Sequence, residues 1–361
     1  MSKPRISLAV PSFSGGGAER VMITLANKFD ELGYLVDFVV MNDKGPYRSM
    51  LNARANKVVL KQGTSFFAVA WAFFRLIKYL SRTDADSIMS TTKTFDIFVG
   101  LAMMLSFCKV KHVVRAAAVF HKSKDAKFFY RTGYMSAVKF IYSRADRVIA
   151  NSTATKLSII DCFGILSDKI HVLYNPLDIK NIDGKKTENR TLSLLAVGRL
   201  SKSKNFSDLI RVMPALREKY PSLTLTVLGV GEELSTLKEL VAQLSLDDVV
   251  DFRGFVDDPF TFYRRCRVFV QTSLTEGFGY VLVEAMACGT PVVAYDGNGA
   301  MREILEDGKY GSLVPPGNLE ALANAIIKQI EDPTGLELLA NSVLRFDADI
   351  IAKQYLNNLE G

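Results

Sequence analysis

The chain has 361 residues, of which 48% are hydrophobic and 23% charged, which predicts an ordinary globular protein long enough for two domains and excludes disordered and fibrous classes. Its four cysteines lie far apart, at positions 108, 162, 266 and 288, and it has only three histidines. We therefore expect neither a disulfide framework nor a histidine-rich metal site, and a reducing cytosol fits this cysteine usage.

Charge is divided unevenly along the chain. Residues 1–185 carry 27 Lys and Arg against 14 Asp and Glu, a net of +13, whereas the remainder carries 18 against 24, a net of −6. A basic first half and an acidic second half indicate different partners for the two halves, or else a basic surface that is simply solvated.

The chain opens on an alternation of strands and helices. A strand at 6–13 leads through three glycines, residues 15–17, into an amphipathic helix at 18–32 and a second strand at 35–41, which predicts a doubly wound α/β fold. The glycines suit a phosphate or sugar loop, or a plain tight turn; they do not form the dinucleotide pattern GxGxxG. The apolar start is too short for a signal peptide and is interpreted as a strand.

Two segments of the basic half interleave aromatic and basic residues. They are 66–82, predicted to be helical, and 120–147, and both suit either an anionic membrane interface or core-facing helices with a basic solvent side. No nucleic-acid-binding module accompanies them. The longest uncharged apolar run, 97–108, is shorter than the roughly 20 residues that a membrane span needs, so no such span is predicted.

Short strands are predicted near 87–90, 110–115, 148–150 and 170–174. The polar, turn-rich segment 178–191 is the best linker candidate. A second α/β run follows, with strands and helices in the order strand 192–200, helix 205–219, strand 223–229, helix 232–244, strand 249–255, helix 258–265, strand 268–272. A helix at 319–331 and a last amphipathic helix at 347–359 end the chain.

The most informative stretch is QTSLTEGFGYVLVEAMACGTPVVA, residues 271–294. Gly277 and Gly279 permit a sharply bent backbone, and the helix that follows is apolar on all sides except at Glu284. A buried carboxylate is costly unless it is hydrogen-bonded. Because helical side chains lean toward the helix N-terminus, Glu284 should point toward the glycine loop that carries Glu276. A hydroxyl-rich anion such as a nucleotide diphosphate sugar would satisfy these groups together.

Five ordered blocks resemble the retaining glycosyltransferases of family 4. They are GGGAER near the start, NP at 175–176, VGRLSKSKN at 197–205, RGFVDD at 253–258 and the stretch 271–294, in which Glu276 and Glu284 match the family's E-x7-E signature. The resemblance implies the GT-B architecture, two doubly wound Rossmann-like domains facing across a cleft. It places an acceptor-binding domain at 1–180, joined by a crossing helix at about 345–361, and a nucleotide-sugar-binding domain at 190–344.

The resemblance also implies roles for individual residues. Arg199 and Lys204 would hold the donor diphosphate, and surface pairing with a nearby carboxylate is the alternative. Glu284 would bind the ribose, and Glu276 the transferred sugar. The remaining donor-binding residues are Gly16, Gly17, Gly254, Val256, Gly277, Phe278 and Gly279.

The family often has a polar side chain shortly after an arginine near 110–117. Here Arg115, assigned to acceptor binding, is followed by three alanines. The catalytic residues would be Glu276, Arg199 and Lys204, with His121 acting from a loop near Arg115. The alternative is that no such side chain acts and that the β-phosphate oxygen takes the acceptor's proton.

The resulting expectation is a cytoplasmic, metal-independent, retaining glycosyltransferase without a cofactor, peripheral on the inner face of the cell membrane. It would move a hexose or N-acetylhexosamine from a nucleotide sugar, a UDP-sugar, to a membrane-borne glycan or glycolipid, as in O-antigen, capsule or lipopolysaccharide assembly. Its partners would be this donor, a lipid-linked or glycan acceptor and an anionic membrane, but not nucleic acid. A GT-B epimerase and a non-catalytic sugar-nucleotide-binding protein are the alternatives.

Overall fold

The structure is a computed structural model that describes residues 4–14, 16–61, 67–120, 128–182 and 190–360, the side chains of 128–132 and 181 excepted. The chain divides into two compact units. Unit 1 comprises Met1–Asp178 with Phe346–Gly361, and unit 2 comprises Ile179–Arg345. The boundary thus falls at the start of the segment that its polar composition marks as a linker.

Unit 1 is built on a parallel sheet of seven strands in the part of the chain that the structure describes. These are β1 (Arg5–Val10), β2 (Leu35–Val40), β3 (Asn56–Val59), β4 (Ser87–Thr91), β5 (Lys111–Ala116), β6 (Arg147–Ala150) and β7 (Ile170–Val172). Their order is β3-β2-β1-β4-β5-β6-β7. From β1 the chain adds β2 and β3 on one side of the sheet, and it then returns to add β4 to β7 on the other side. The order of strand addition thus reverses between β1 and β4, as in doubly wound folds.

The helices of unit 1 cover both faces of this sheet. They are α1 (Gly17–Glu31), α2 (Phe67–Leu80), α3 (Lys93–Ser106), α4 (Phe128–Arg144), α5 (Thr153–Phe163) and the C-terminal α13 (Ala348–Glu360). Because crossovers are right-handed, α1 lies on one face, and α2 to α5, whose connections run in the opposite direction, lie on the other. α13 packs against α1, so the end of the chain returns to unit 1.

Unit 2 repeats the same plan with a second parallel sheet. Its strands are β8 (Ser193–Val197), β9 (Thr224–Leu228), β10 (Val250–Gly254), β11 (Val268–Gln271), β13 (Val292–Tyr295) and β15 (Ser312–Val314), and their order is β10-β9-β8-β11-β13-β15. Two further two-residue strands, β12 (Thr275–Glu276) and β14 (Asn298–Gly299), pair with each other.

Helices again connect the strands of unit 2. They are α6 (Phe206–Lys219), α7 (Leu234–Gln243), α8 (Phe260–Arg265), α9 (Tyr280–Ala287), α10 (Met301–Ile304), α11 (Leu319–Glu331) and α12 (Leu336–Val343). The core lies between the sheet and the apolar stripes of α6, α7 and α11. The fold class is therefore confirmed: each unit is a doubly wound, Rossmann-like α/β domain.

Several short elements were not predicted from the sequence, among them the strands β3 and β15 and the helices α10 and α12. β3 is a short edge strand whose residues are only partly buried, so its apolar pattern is weak. α12 follows Pro333 and Gly335 and spans only eight residues, too few to show a periodic stripe. Within the described residues no helix is long and apolar enough to cross a membrane.

A buried polar cluster at the carboxyl end of β4 makes the stability of unit 1 depend on pH. The carboxylate of Asp96 accepts hydrogen bonds from Ser90 (2.8 Å) and Tyr142 (3.0 Å). Burial raises the pKa of Asp96 to about 7, against the opposing effect of these bonds and of the Arg115 charge. The Ser90 hydroxyl also lies 3.1 Å from Nε2 of His112, and burial lowers the pKa of that imidazole to about 4.

We expect Asp96 to favour folding at low pH and to lose that effect as pH rises toward 7. The folded carboxyl keeps its proton where the unfolded one has released it, so the folded state binds more protons and the free energy of unfolding falls by about 1.4 kcal/mol per pH unit. Chemical denaturation of the parent and of Asp96→Asn at about pH 5 and pH 8 measures this. Because His112 is common to both proteins, it cancels in the difference between them. A difference that does not change with pH would contradict the assignment.

Candidate active site at the switch point of unit 2

The candidate site of unit 2 lies at the carboxyl ends of β8 and β11. These neighbouring strands mark the point where the sheet order reverses, because β9 and β10 lie on one side and β13 and β15 on the other. A crevice opens at such a point, and it is the usual ligand site of doubly wound sheets. The loop after β8 carries Arg199 and Lys204, and the loop after β11 carries Glu276.

Lys204 and Glu276 meet across this switch point. The ammonium group of Lys204 forms an ion pair with Oε2 of Glu276, and the two side chains are 22% and 18% exposed. The Thr272 hydroxyl, at the end of β11, donates to the carbonyls of Lys204 (3.2 Å) and Asn205 (2.9 Å). The turn that carries Lys204 is therefore fixed to the strand that carries Glu276.

Gln271 holds Glu276 from the other side. Its Nε2 donates to Oε2 of Glu276 at 3.1 Å, and the Gln271 side chain is buried. Its Oε1 accepts no hydrogen bond within the residues that the structure describes. The site therefore has a spare hydrogen-bond acceptor beside a half-buried carboxylate.

Glycines allow this part of the loop to pack tightly. Gly279 has a φ of +89° and precedes the first turn of α9, so the loop turns there in a conformation that side chains disfavour. A Cβ atom at Gly299 would lie 2.0 Å from the carbonyl oxygen of Glu276. Only glycine permits the pairing of β14 with β12 that fixes the backbone of Glu276.

The exposed side chain of the site belongs to Arg199. It lies on the surface after β8, and no carboxylate in the described ranges pairs with it. Lys204 does pair with a carboxylate, as the alternative of surface pairing predicts, but that carboxylate is Glu276 of the same predicted site. The structure thus brings together two of the residues assigned to the donor.

Glu284 is buried in α9, as its apolar neighbours predict. Only 2% of it is exposed, and its Oε2 accepts a hydrogen bond from the Tyr263 hydroxyl at 3.1 Å. Tyr263 is fully buried, and its own carbonyl accepts from Arg190 (3.0 Å) and from Thr290. Glu284 is thus held by a tyrosine that is itself locked in place.

The two residues predicted to border the base lie at the end of β10 and in the loop that follows it. Gly254 has a φ of +71°, and its carbonyl accepts from the amide of Gly229 at 2.7 Å. Val256 is partly buried, and the intervening Phe255 is 53% exposed. Because β9 separates β10 from β8, this loop lies two strands away from the loop that carries Lys204. Both loops follow the carboxyl ends of strands of the same sheet.

Two glycines assigned to the donor lie in unit 1, at the start of α1. Gly16 is the N-cap and Gly17 the first helical residue. The carboxylate of the buried Glu19 lies against Gly16, since a Cβ there would be 2.4 Å from its Oε2, and it accepts from Ser14 at 3.3 Å. His121, assigned to catalysis, lies outside the described residues.

The structure places Arg115 differently from the expectation of an acceptor contact. Its side chain is fully buried in unit 1, donating to the Tyr355 hydroxyl (3.1 Å), to Thr91 (3.3 Å) and to the Asn175 side chain. These contacts join β5 to α13, which explains the burial of a charge at this position. The acceptor-binding role of Arg115 stays a prediction that its surroundings do not support.

We expect Arg115→Leu to lower the free energy of unfolding by about 3 to 5 kcal/mol, because breaking a buried polar network leaves uncompensated groups behind. Urea denaturation followed by circular dichroism measures this loss. Exposed Arg48→Leu is the matched control and should change stability little. Parent-like stability of Arg115→Leu together with a raised acceptor KM would instead favour the acceptor-binding role.

Three residues of the site escaped the sequence analysis: Tyr263, Gln271 and Thr272. Gln271 and Thr272 end a buried strand just before the glycine loop, and polar residues at the carboxyl end of a parallel strand are the signal that could have identified them. Nothing in the sequence links Tyr263 to Glu284, because the two are joined only by packing of α8 on α9.

Comparison with known families supports an assignment for the whole chain. Residues 15–181 match the model described as Glycosyltransferase Family 4, and residues 178–343 match the model described as Glycosyl transferases group 1. Together these matches cover nearly all of unit 1 and unit 2.

Individual relatives agree over the full length. The N-acetylgalactosamine-N,N'-diacetylbacillosaminyl-diphospho-undecaprenol 4-alpha-N-acetylgalactosaminyltransferase of Campylobacter jejuni is 27% identical over 345 residues, 91% of this chain and 90% of that enzyme. The structure of Anabaena HepE in complex with UDP-glucose superposes with a TM-score of 0.82 at 25% identity, over 98% of this chain and 99% of that one. The lipopolysaccharide outer core galactosyltransferase WaaB shares the fold, with a TM-score of 0.75 at 19% identity over 99% and 98% of the two chains. The chain therefore belongs to the family 4 type of glycosyltransferases with the GT-B architecture.

Proposed function

We propose that this glycosyltransferase moves a hexose or N-acetylhexosamine from a UDP-sugar to a membrane-borne glycan or glycolipid, with retention of anomeric configuration. The observation that carries the proposal is the meeting of Lys204 and Glu276 across the switch point of unit 2, with Arg199 exposed on the same loop as Lys204. A cation for a diphosphate and a carboxylate for sugar hydroxyls thus stand side by side. The UDP-glucose complex of Anabaena HepE supports a uridine donor.

The diphosphate would bind to Arg199 and Lys204. Two fixed cations stabilise the charge that develops on the leaving nucleoside diphosphate, a contribution that needs no metal ion. The amides at the start of α9, after Gly279, add partial positive charge to the same region. Gly16 and Gly17, which the resemblance also assigns to the donor, remain a prediction from the sequence.

The two carboxylates would bind the two ends of the donor. Glu276, held by Gln271, would accept hydrogen bonds from hydroxyls of the transferred sugar. Glu284, held by Tyr263, would accept from the ribose hydroxyls. The backbone near Gly254 and Val256 would border the uracil.

The transfer step needs no side chain of the protein as a base, because the leaving group itself can take the acceptor's proton. The bond from the anomeric carbon to the β-phosphate oxygen breaks, and the acceptor oxygen forms its bond on the same face of the sugar. The acceptor's proton passes to the β-phosphate oxygen of the departing UDP. Assistance by the side chain of His121 is the alternative to this proton transfer.

A membrane-borne acceptor is supported by the basic composition of residues 1–185. The Campylobacter relative, by its name, acts on an undecaprenol-linked diphosphate acceptor, and such an acceptor is anionic. We therefore propose that the protein works at the cytoplasmic face of the cell membrane as a peripheral protein, in the assembly of a cell-surface polysaccharide or lipopolysaccharide.

The test is release of nucleotide from a panel of sugar donors, with and without a lipid extract. We expect release from a UDP-hexose or UDP-N-acetylhexosamine that rises strongly when the extract is present, and an α-linked product from an α-linked donor by NMR. Equal release without any acceptor, or turnover with no UDP-sugar of the panel, would overturn the proposal.

A further inference from the structure

Helix α2 has two opposite faces, and only one of them is covered by unit 1. Its small and aliphatic side chains at 68, 72, 76 and 80 are buried against the core. On the other side Phe67, Trp71 and Phe74 are 73%, 68% and 64% exposed. These three residues follow helical spacing, so they form one stripe, which continues through the exposed basic residues Lys78 and Arg82.

The neighbouring helices extend this apolar surface. α3 packs beside α2 through the rings of Phe73 and Phe98, whose centroids are 5.2 Å apart, and α4 packs beside α3. α3 and α4 also expose large apolar side chains, namely Leu101, Met104, Leu105, Phe107 and Phe140. Phe107 is 92% exposed although its φ of +50° is unfavourable for a side chain, so its ring projects from a strained turn.

The charges of the three helical segments of this surface are predominantly positive. The segments 67–82, 93–109 and 128–144 contain a single acidic residue, Asp96, and that residue is fully buried. Their exposed basic residues are Arg75, Lys78, Arg82, Lys109, Lys139 and Arg144. The turn after α2 adds two exposed carboxylates, Asp84 and Asp86, near Arg82 and Lys109, so cations predominate at this surface without being alone. An aromatic and aliphatic surface with an excess of cations is complementary to an anionic apolar partner.

The positive charge of this surface decides between two candidate partners, a second copy of the chain and an anionic bilayer. In a symmetric dimer the same patch of each copy meets itself, which would bring the cations of the two copies together. An anionic bilayer instead neutralises the cations with its headgroups and receives the aromatic side chains at the level where tryptophan and phenylalanine prefer to lie.

We propose that the exposed side of α2, α3 and α4, here the α2–α4 face, is the surface by which the protein docks on a bilayer that contains anionic lipid. Phe67, Trp71, Phe74 and Phe107 enter the interface, and the basic residues contact the headgroups. The inference rests on the proposed membrane-borne acceptor, because docking through unit 1 brings the acceptor-binding domain to the lipid.

Flotation with vesicles tests the docking surface directly. The full-length protein should float with vesicles of equal parts phosphatidylcholine and phosphatidylglycerol at low salt, and much less with phosphatidylcholine alone. The apolar variant Phe67→Ser/Trp71→Ser/Phe74→Ser and the charge variant Lys78→Gln/Arg82→Gln/Lys109→Gln should each lose about tenfold or more in bound fraction. The bound fraction of the charge variant at low salt should be similar to that of the parent at high salt, because both conditions weaken the attraction to the headgroups.

Matched controls change residues elsewhere on the surface. Leu32→Ser/Leu336→Ser/Leu344→Ser removes apolar side chains that are 42%, 51% and 52% exposed, and Lys238→Gln/Lys328→Gln/Lys353→Gln removes as many charges. Both should float like the parent. Circular dichroism melts establish that each variant is folded.

Three results would overturn the proposal: a parent that stays at the bottom of the gradient, face variants that float like the controls, or a parent dimer that only the apolar variant disrupts. UDP binding in the absence of vesicles is measured in parallel. If UDP binds but the protein does not float, the docking surface is wrong; if it floats but no UDP binds, the proposed function fails instead.

Discussion

Replacing Lys204 by alanine is expected to reduce kcat/KM for the sugar donor by about 10²-fold or more, because a preorganised charge on a developing anion contributes on the order of several kcal/mol. The substitution removes a side chain that is 22% exposed and whose ion pair with Glu276 lies at the surface of the sheet edge. The turn itself is held through the backbone carbonyls that Thr272 contacts. Steady-state kinetics with a UDP-sugar measures the loss.

Lys202→Ala is the matched control for this variant. Lys202 is an exposed lysine in the same short helical turn, two residues before Lys204, so it tests a charge near the site that does not reach Glu276. We expect turnover within about twofold of the parent for Lys202→Ala. If Lys204→Ala keeps full turnover, or if both variants lose it equally, the diphosphate does not bind where we place it.

Replacing Glu284 by glutamine is expected to weaken binding of UDP by about tenfold to a hundredfold, since a hydrogen bond to a charged group contributes about 1.5 to 3 kcal/mol. The acceptor KM should change little. The hydrogen bonds that are lost are those between Glu284 and the ribose hydroxyls. The parent should therefore bind 2′-deoxy-UDP or 3′-deoxy-UDP more weakly than UDP, whereas Glu284→Gln should bind all three nucleotides with about the same affinity. Calorimetric titration with the three nucleotides measures this discrimination.

Tyr263→Phe serves as the companion variant. It removes the hydroxyl that donates to Glu284 and retains the ring that packs on Phe269, at 5.5 Å between centroids. We expect an intermediate loss of discrimination between UDP and its deoxy forms. An unchanged preference for UDP in Glu284→Gln would show that this carboxylate serves the core rather than the ribose.

The fold could be predicted largely from the sequence because its signals are local. Strand and helix alternation and the apolar stripes of α1, α6 and α11 lie within single segments, so the doubly wound class of each unit follows from periodicity and the rules of crossover. The weak elements were those with few buried residues: β3 is an edge strand, and α12 is short.

The candidate site could be predicted only in part. The glycine loop and Glu276 lie in one continuous stretch, and the loop after β8 carries visible cations, so both halves were recognisable. Their meeting depends on β8 and β11 being neighbours, which the sheet order decides. The partners Tyr263 for Glu284 and Gln271 for Glu276 depend on side-chain packing that no spacing reveals.

Arg115 shows what a local pattern leaves out. A single arginine at the end of a strand matched a family position, and the resemblance implied a role in acceptor binding. The structure surrounds it with Tyr355, Thr91 and Asn175, of which Tyr355 is 240 residues away in the chain. Burial at this position is decided by the return of α13 to unit 1, a long-range event that local pattern does not encode.

The central claim is that the switch point of unit 2 binds the diphosphate of a nucleotide sugar. Calorimetric titration of the purified protein with UDP and UMP, without lipid or acceptor, tests it most directly. We predict saturable binding of UDP and binding of UMP that is at least about tenfold weaker, because UMP lacks the β-phosphate that Arg199 and Lys204 would hold. Equal affinity for the two nucleotides, or no binding of UDP, would contradict the account.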